Sequence, residues 1–238
     1  MKVTAIIPAA GYGRRMRSKT DKPFIMIHGK EMLCHCLNVL EGIACISEII
    51  IAAQKRNINK IKAVIEREGF CKVRHVIEGG SCRGFSVANA LKFVNKGSDF
   101  ILVHDCARPI INKGIVNKTI SAAKRYNCAV AAVRAKSTIK QAFKGEHFVD
   151  KTLDRSSLWE VQTPQVFKAD ILKQAYKKAG RAVSRFTDDS GIVEYSGNRV
   201  RLVQSTYANI KITTAEDLVF ALFLKGRNNK NMAKAGEN

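Results

Sequence analysis

The chain has 238 residues, with 41 Lys and Arg against 20 Asp and Glu for a formal net charge of +21, and a pI near 9.9. At 46% hydrophobic and 26% charged residues it has the composition of a globular protein, not a disordered one, and its length suits one domain or at most two small ones. Excess positive charge of this size points to a polyanionic partner: nucleic acid, an anionic membrane surface or a phosphate-rich small substrate.

No stretch approaches the roughly 18 apolar residues that a membrane-spanning helix needs. The apolar run after Met1-Lys2 is short and is closed by Gly11-Tyr12-Gly13-Arg14-Arg15, so it reads as a buried strand entering a glycine loop rather than a signal peptide. Strands are expected over Val3–Ile7, Glu48–Ala52, Val73–Ile77, Phe100–His104 and Cys128–Val133. Helices are expected between them, over Glu31–Leu40, Ile58–Glu68, Ser86–Asn95 and Gly114–Tyr126. This alternation implies an α/β protein with a mainly parallel sheet. From Arg134 to about Leu158 the rhythm breaks into polar, alternating text that suggests an extended hairpin or arm. A helix (Lys168–Ala179), a strand (Arg199–Gln204) and a closing helix (Thr214–Leu224) follow, and the Asn/Lys/Gly-rich end from Lys225 reads as a frayed tail. The seven cysteines form no C-x-x-C unit, and Cys34-His35-Cys36 has no second half. They read as small buried thiols in a reducing compartment, with the cytoplasm as the default, rather than as a disulfide framework or a metal site.

In open α/β sheets ligands bind beyond the carboxyl ends of the strands, so the loops that directly follow strands carry the chemistry. The first is Pro8-Ala9-Ala10-Gly11-Tyr12-Gly13-Arg14-Arg15-Met16. Small residues and glycines let backbone N–H groups approach an anion closely. The segment lacks the Gly-Lys-Ser/Thr of a Walker loop, and Met16 stands where a dinucleotide fingerprint has its third glycine. Alone it reads equally as a phosphate loop or an ordinary turn. Arg14, Arg15, Arg17, Lys19 and Lys22 follow closely, and a nucleoside triphosphate carries the charge to match them.

This opening, Pro-Ala-Ala-Gly-x-Gly-x-Arg-Met with a lysine six residues later, resembles the 2-C-methyl-D-erythritol 4-phosphate cytidylyltransferase family of the non-mevalonate isoprenoid pathway. The resemblance implies a Rossmann-like sheet of nucleotidyltransferase type, with a protruding β-arm used in dimerisation. It implies that Ala9, Ala10, Gly11 and Gly13 hold CTP through their backbone, and that Arg15 and Lys22 contact its phosphates. Relatives acting on ribitol phosphate usually begin Ala-Gly-Gly here, which favours methylerythritol phosphate. The chain departs from the family's Pro-Lys-Gln with Asp21-Lys22-Pro23.

The likeness continues through the later loops. Gly79-Gly80-Ser81-Cys82-Arg83-Gly84-Phe85-Ser86-Val87 reads blandly as a turn with a helix N-cap at Ser86. It is similar to the family segment around cytosine and ribose, which makes Gly79, Gly80 and Ser86 nucleotide contacts and leaves Arg83 either shaping the loop or touching ligand. Val103-His104-Asp105-Cys106-Ala107-Arg108-Pro109 alone suggests a structural Asp–Arg ion pair. By resemblance Ala107 lies against the nucleotide, Asp105 binds substrate hydroxyls or sits near the metal, and Arg108 meets the substrate. His104 reads as a core histidine rather than a general base. Cys106 replaces the family's usual alanine.

Lys136-Ser137-Thr138-Ile139-Lys140 makes Thr138 a substrate candidate, with Ser137 in place of the usual aspartate. The run from Asp154-Arg155 through Leu158-Trp159 to Gln162-Thr163-Pro164-Gln165 matches the family's arm motif. There the arm swaps across a two-fold dimer and Arg155 reaches the partner's site, with Thr163 a further substrate candidate. Thr187-Asp188-Asp189-Ser190 reads as a capping box; the family places substrate contacts at Thr187. Asn209-Ile210-Lys211-Ile212-Thr213 resembles the segment whose lysine reaches the phosphates.

Residues 1–225 are therefore expected to form one nucleotidyltransferase domain, with the arm at about 134–158 and 226–238 as a flexible tail. The implied reaction is attack of a polyol phosphate on the α-phosphorus of CTP. Lys22 and Lys211 would neutralise charge there, Arg15 would do so at the β- and γ-phosphates, and Mg²⁺ would be held mainly by the CTP phosphates rather than by protein ligands. The expected partners are CTP, a polyol phosphate and a second copy of the chain, with no membrane. The competing readings are the same chemistry on another polyol phosphate such as ribitol 5-phosphate, or a basic nucleic-acid-binding protein on the same fold. Only 7% of residues are aromatic and no recognition helix stands out, which argues against nucleic acid.

Overall fold

The computed structural model describes residues 1–11 and 20–235, with side chains through residue 226. The first strand, β1 (Val3–Ala9), is buried along its length, as a central parallel strand covered on both faces must be. It is followed by a small hairpin of β2 (Met26–Ile27) and β3 (Lys30–Glu31). His28 and Gly29 turn that hairpin at φ 44° and 77°, the pair of positive φ values that a tight two-residue turn requires. No periodicity signals strands this short. Helix α1 (Met32–Glu41) then leads to β4 (Ile46–Ala53), α2 (Ile58–Glu68), β5 (Val73–Glu78), α3 (Arg83–Leu91), β6 (Phe100–Val103), α4 (Lys113–Tyr126) and β7 (Cys128–Arg134). Every strand and helix expected in this half is present, within a few residues at the ends.

The arm is an antiparallel hairpin of β8 (Ile139–Ala142) and β9 (Val149–Leu153). Beyond it lies a strand that the sequence did not announce, β10 (Trp159–Lys168). Helices α5 (Ala169–Ala179) and α6 (Asp189–Tyr195), strand β11 (Arg201–Gln204) and helix α7 (Ala215–Ala235) complete the chain. Helix α7 opens on a reciprocal cap: Asp217 Oδ2 accepts from the Thr214 backbone at 2.9 Å, while the Asp217 N–H reaches Thr214 Oγ1 at 3.4 Å. The helix runs to Ala235, so most of the segment read as a frayed tail is helical.

The seven-stranded sheet has the order β11-β7-β10-β6-β1-β4-β5. All neighbours are parallel except β10, which runs antiparallel to both β6 and β7. Its polar residues hid it: Gln162, Thr163 and Gln165 are buried, and their amides and hydroxyl are satisfied by specific partners rather than by apolar packing. Odd and even positions divide the core. Val3, Ala5 and Ile7 face α1, α2 and α4, whereas Ile6, Ile101 and Phe167 face α3, α5 and α6. A third, smaller cluster seats Ala221 of α7 against Ile25, Ile27 and Ile212.

Phe167 of β10 has no exposed surface, so Phe167→Ala is expected to lower the unfolding free energy by about 3–5 kcal/mol in denaturant titration. A loss below about 1 kcal/mol would place this residue outside the core.

Candidate active site

The carboxyl ends of β1, β5 and β6 open onto a cavity of about 490 Å³. Its floor comes from the end of β1, where Ala9, Ala10 and Gly11 present small side chains or none. Its second wall is the loop after β5. A Cβ at Gly79 would lie 2.5 Å from Ala10 Cβ, and one at Gly80 would lie 2.4 Å from Phe85 Cβ. Both contacts are to atoms fixed by their own backbone, so the loop can hug the β1 turn only with glycine at these places. Ser86 holds the loop in shape: its Oγ accepts from Gly80 N at 3.0 Å and donates to Cys82 O at 2.9 Å.

The third wall joins two distant segments. The turn after β6 supplies Asp105, Cys106 and Ala107, and the segment before α7 supplies Lys211 and Thr213. They are laced together by Ile212 N donating to Ala107 O at 2.8 Å and by Arg108 Nη1 donating to Asn209 O at 2.7 Å. Lys22, at the start of a single 3₁₀ turn (Lys22–Phe24), donates its Nζ to Ile212 O at 2.9 Å. Lys22 and Lys211 are 189 positions apart in sequence, yet both line the cavity.

Asp105 is the electrostatic centre. Its Oδ1 accepts Arg83 Nε at 2.8 Å, its Oδ2 meets Lys211 Nζ at 2.7 Å, and Arg108 Nε stands 4.0 Å away. Burial alone would raise its pKa, but Arg83 and Lys211 outweigh burial and hold the carboxyl well below the usual carboxylate range. For Arg83 the opposition is reversed. Burial disfavours its charge, and the carboxylates of Asp105 and Asp189 more than restore it. Arg83 thus shapes the site through two carboxylates and also lines the cavity. Cys106 is a neutral wall rather than a nucleophile, because the neighbouring Cys36 thiol and burial push its thiol well above the ordinary value.

His104 lies beneath this turn with no exposed surface. Asp105 N donates to Thr163 Oγ1 at 3.0 Å, leaving that hydroxyl to donate to His104 Nδ1, also at 3.0 Å. His104 Nε2 must then carry the proton it gives to Arg108 O at 3.2 Å. Burial pushes this imidazole down to about 4. It is a neutral strut, not a general base.

Of the residues expected at the site, Ala9, Ala10, Gly11, Lys22, Gly80, Ser86, Asp105, Ala107 and Lys211 line one cavity. Gly79 abuts Ala10 from behind. Arg108 and Thr163 are buried and brace the turn. Thr138, Arg155 and Thr187 are exposed and lie off this cavity, with Arg155 donating to Lys136 O at 2.8 Å inside the arm. Gly13 and Arg15 lie outside the described residues. Pro23, Cys82 and Thr213 also line the cavity; each lies within or beside a motif segment that does not single it out.

The profile of the 2-C-methyl-D-erythritol 4-phosphate cytidylyltransferases matches residues 3–227. The chain belongs to this family. It is 42% identical over 226 residues to the cytidylyltransferase of Clostridium acetobutylicum, covering 94% of this chain and 97% of that one. The corresponding protein of Alkaliphilus metalliredigens is 40% identical over 237 residues, covering 99% and 96%. Among solved structures, the 4-diphosphocytidyl-2C-methyl-D-erythritol synthase of Anaerococcus prevotii superposes with a TM-score of 0.82 at 32% identity, covering 94% of this chain and 96% of that one.

His104 gives this site a pH signature. In the unfolded chain the imidazole protonates from pH 6.5 downward, whereas in the folded site it resists to about 4. The unfolded state therefore binds more protons in that window, so this contribution to stability is complete above pH 6.5 and declines as the pH falls toward 4. Imidazole NMR titration is expected to show His104 neutral throughout that window, with the unfolding midpoint dropping across it. A His104 resonance titrating near 6.5 would contradict the strut.

Proposed function

We infer that this chain transfers the cytidylyl group of CTP to the phosphate of 2-C-methyl-D-erythritol 4-phosphate, giving 4-CDP-2-C-methyl-D-erythritol and pyrophosphate in isoprenoid precursor biosynthesis. Family membership supports the substrates. The observation that carries the chemistry is the convergence of two ammonium groups, Lys22 and Lys211, on a cavity floored by small residues. A substrate phosphate oxygen attacks the α-phosphorus as the bond to the pyrophosphate oxygen breaks. A phosphate monoester has its second pKa near ~6, so at neutral pH it is already anionic and no protein base is needed. The barrier is the meeting of two anions, and catalysis consists of positioning and charge neutralisation.

In this reading Ala9, Ala10, Gly11, Gly79, Gly80, Ser86 and Ala107 shape the CTP site. Lys22 and Lys211 neutralise the α-phosphate region, and Arg15 attends the outer phosphates. Magnesium would be held mainly through the CTP phosphates and would supply neutralising charge there. Among the described residues no group of three acidic, histidine or cysteine side chains could hold a metal, and both oxygens of Asp105 are taken by Arg83 and Lys211. Triphosphate oxygens are fitting ligands for the magnesium ion.

We also assign a homodimer built on the arm. Phe143, Phe148 and Val149 are 50%, 75% and 56% exposed there, which supports burial against a second copy. Arg155 then reaches the partner's site across the interface, and Thr138 and Thr187 contribute to substrate binding. A cytoplasmic location is supported by the free state of all seven cysteines.

Lys22→Ala and Lys211→Ala are each expected to lower kcat by about 10²–10³ in a pyrophosphate-release assay, with the fold intact. Near-wild-type turnover in both would sink the assignment. The same assay, run with four nucleotides against methylerythritol and ribitol phosphates, is expected to select CTP and the former. If Arg155 acts in trans, mixing Arg155→Ala with Lys22→Ala protein regains activity through heterodimers, and a flat mixing curve speaks against arm exchange.

A further inference from the structure

Asp189 opens α6 and has no exposed surface. It is not the helix cap, since that task falls to Asp188, whose Oδ1 accepts from Gly191 N at 3.1 Å. A buried carboxylate is unfavourable unless it is paired, and each oxygen of Asp189 faces a partner, Oδ1 through a hydrogen bond and Oδ2 through an ion pair without hydrogen-bond geometry. Oδ1 accepts the Tyr176 hydroxyl at 2.6 Å, and Oδ2 stands 2.8 Å from Arg83 Nη2. The same guanidinium turns its Nε to Asp105 Oδ1. Tyr176, Asp189, Arg83, Asp105 and Lys211 therefore form one continuous relay from α5 to the cavity, alternating in charge from Asp189 onward.

We propose that Asp189 is a positioning residue for Lys211, acting through Arg83. The argument rests on the cytidylyl-transfer reading of the cavity. A guanidinium is a planar fork that prefers to grip one carboxylate with two nitrogens. Left with Asp105 alone, Arg83 can take both of its oxygens, including the Oδ2 that seats Lys211 at 2.7 Å. Asp189 draws Nη2 the other way. The guanidinium then spans two carboxylates and grips neither with both nitrogens, so Oδ2 stays available and Lys211 stays aimed at the cavity. Tyr176 fixes Asp189 in turn.

The test measures kcat, KM for CTP and Tm for Asp189→Asn, Arg83→Lys, the double variant and Tyr176→Phe. Asp189→Asn is expected to lower kcat about tenfold, with a smaller change in KM. Arg83→Lys keeps the charge but cannot span two carboxylates, so it should reproduce that loss, and the double variant should lose no more than either single one. Tyr176→Phe should lower kcat by a smaller factor, about threefold, and it carries the test if Asp189→Asn does not fold. A purely structural aspartate predicts a lower Tm with wild-type kcat, or losses that multiply in the double variant, and either result overturns the proposal. Wild-type protein that releases no pyrophosphate from CTP and methylerythritol phosphate would instead overturn the reading of the cavity.

Discussion

One carboxylate organises this protein's chemistry. Asp105 sits at the end of a fully buried strand and holds Arg83 and Lys211 at 2.8 and 2.7 Å. These cations arrive from different elements, one from the first residue of α3 and the other from the segment before α7. Without the negative charge between them, two side chains of like sign would be confined against a cavity meant to receive an anion, and each would turn outward to water. With it, they are fixed before substrate arrives. Such pre-organisation is what charge stabilisation in a transition state demands, since nothing need reorient as the new bond forms.

The polar framework beneath that carboxylate is equally committed. Thr163, His104 and the Arg108 backbone form a chain of hydrogen bonds under the turn. Asn209 donates to Gln162 Oε1 and to Thr163 O, each at 2.9 Å. In a low-dielectric interior such hydrogen bonds favour one arrangement, although Arg108 Nε and Asn209 Oδ1 are buried without a hydrogen-bond partner. The cavity walls are thus held by hydrogen bonds rather than by apolar packing. Arg108 and Thr163, which look like substrate ligands in the sequence, also brace the site here through Asn209 O and His104.

How much could be read in advance followed from how each element is stabilised. Strands β1, β4, β6 and β7 are buried on both faces, so their apolar runs declared them. The helices of the first half showed their period. Strand β10 did not, because Gln162, Thr163 and Gln165 are buried by virtue of specific partners that no local pattern encodes. Helix α6 spans only seven residues, too few to show a period. At the site, the glycine loops and the two lysines were legible through motifs. Asp189 was not, because a capping signature covers it: the neighbouring Asp188 performs the cap and leaves Asp189 free for Arg83. The net charge of +21 raised the question of a polyanion, and the cavity answers where a few of those cations act. The rest of the excess has no explanation in this fold.

The reversed direction of β10 has a consequence for how the molecule can vary. Strand β7 ends at the cavity side of the sheet, and β10, being antiparallel, begins at that same side. The intervening chain need not cross the sheet, as a parallel connection would require; it simply leaves and returns at one edge. Residues between Arg134 and Trp159 are therefore an excursion with adjacent anchor points, whose length is uncoupled from the packing of every layer beneath. Loop-closure entropy grows only slowly with such length. The fold can therefore lengthen, shorten or reshape this excursion, and with it whatever the excursion touches, while the hearth of the chemistry stays in place.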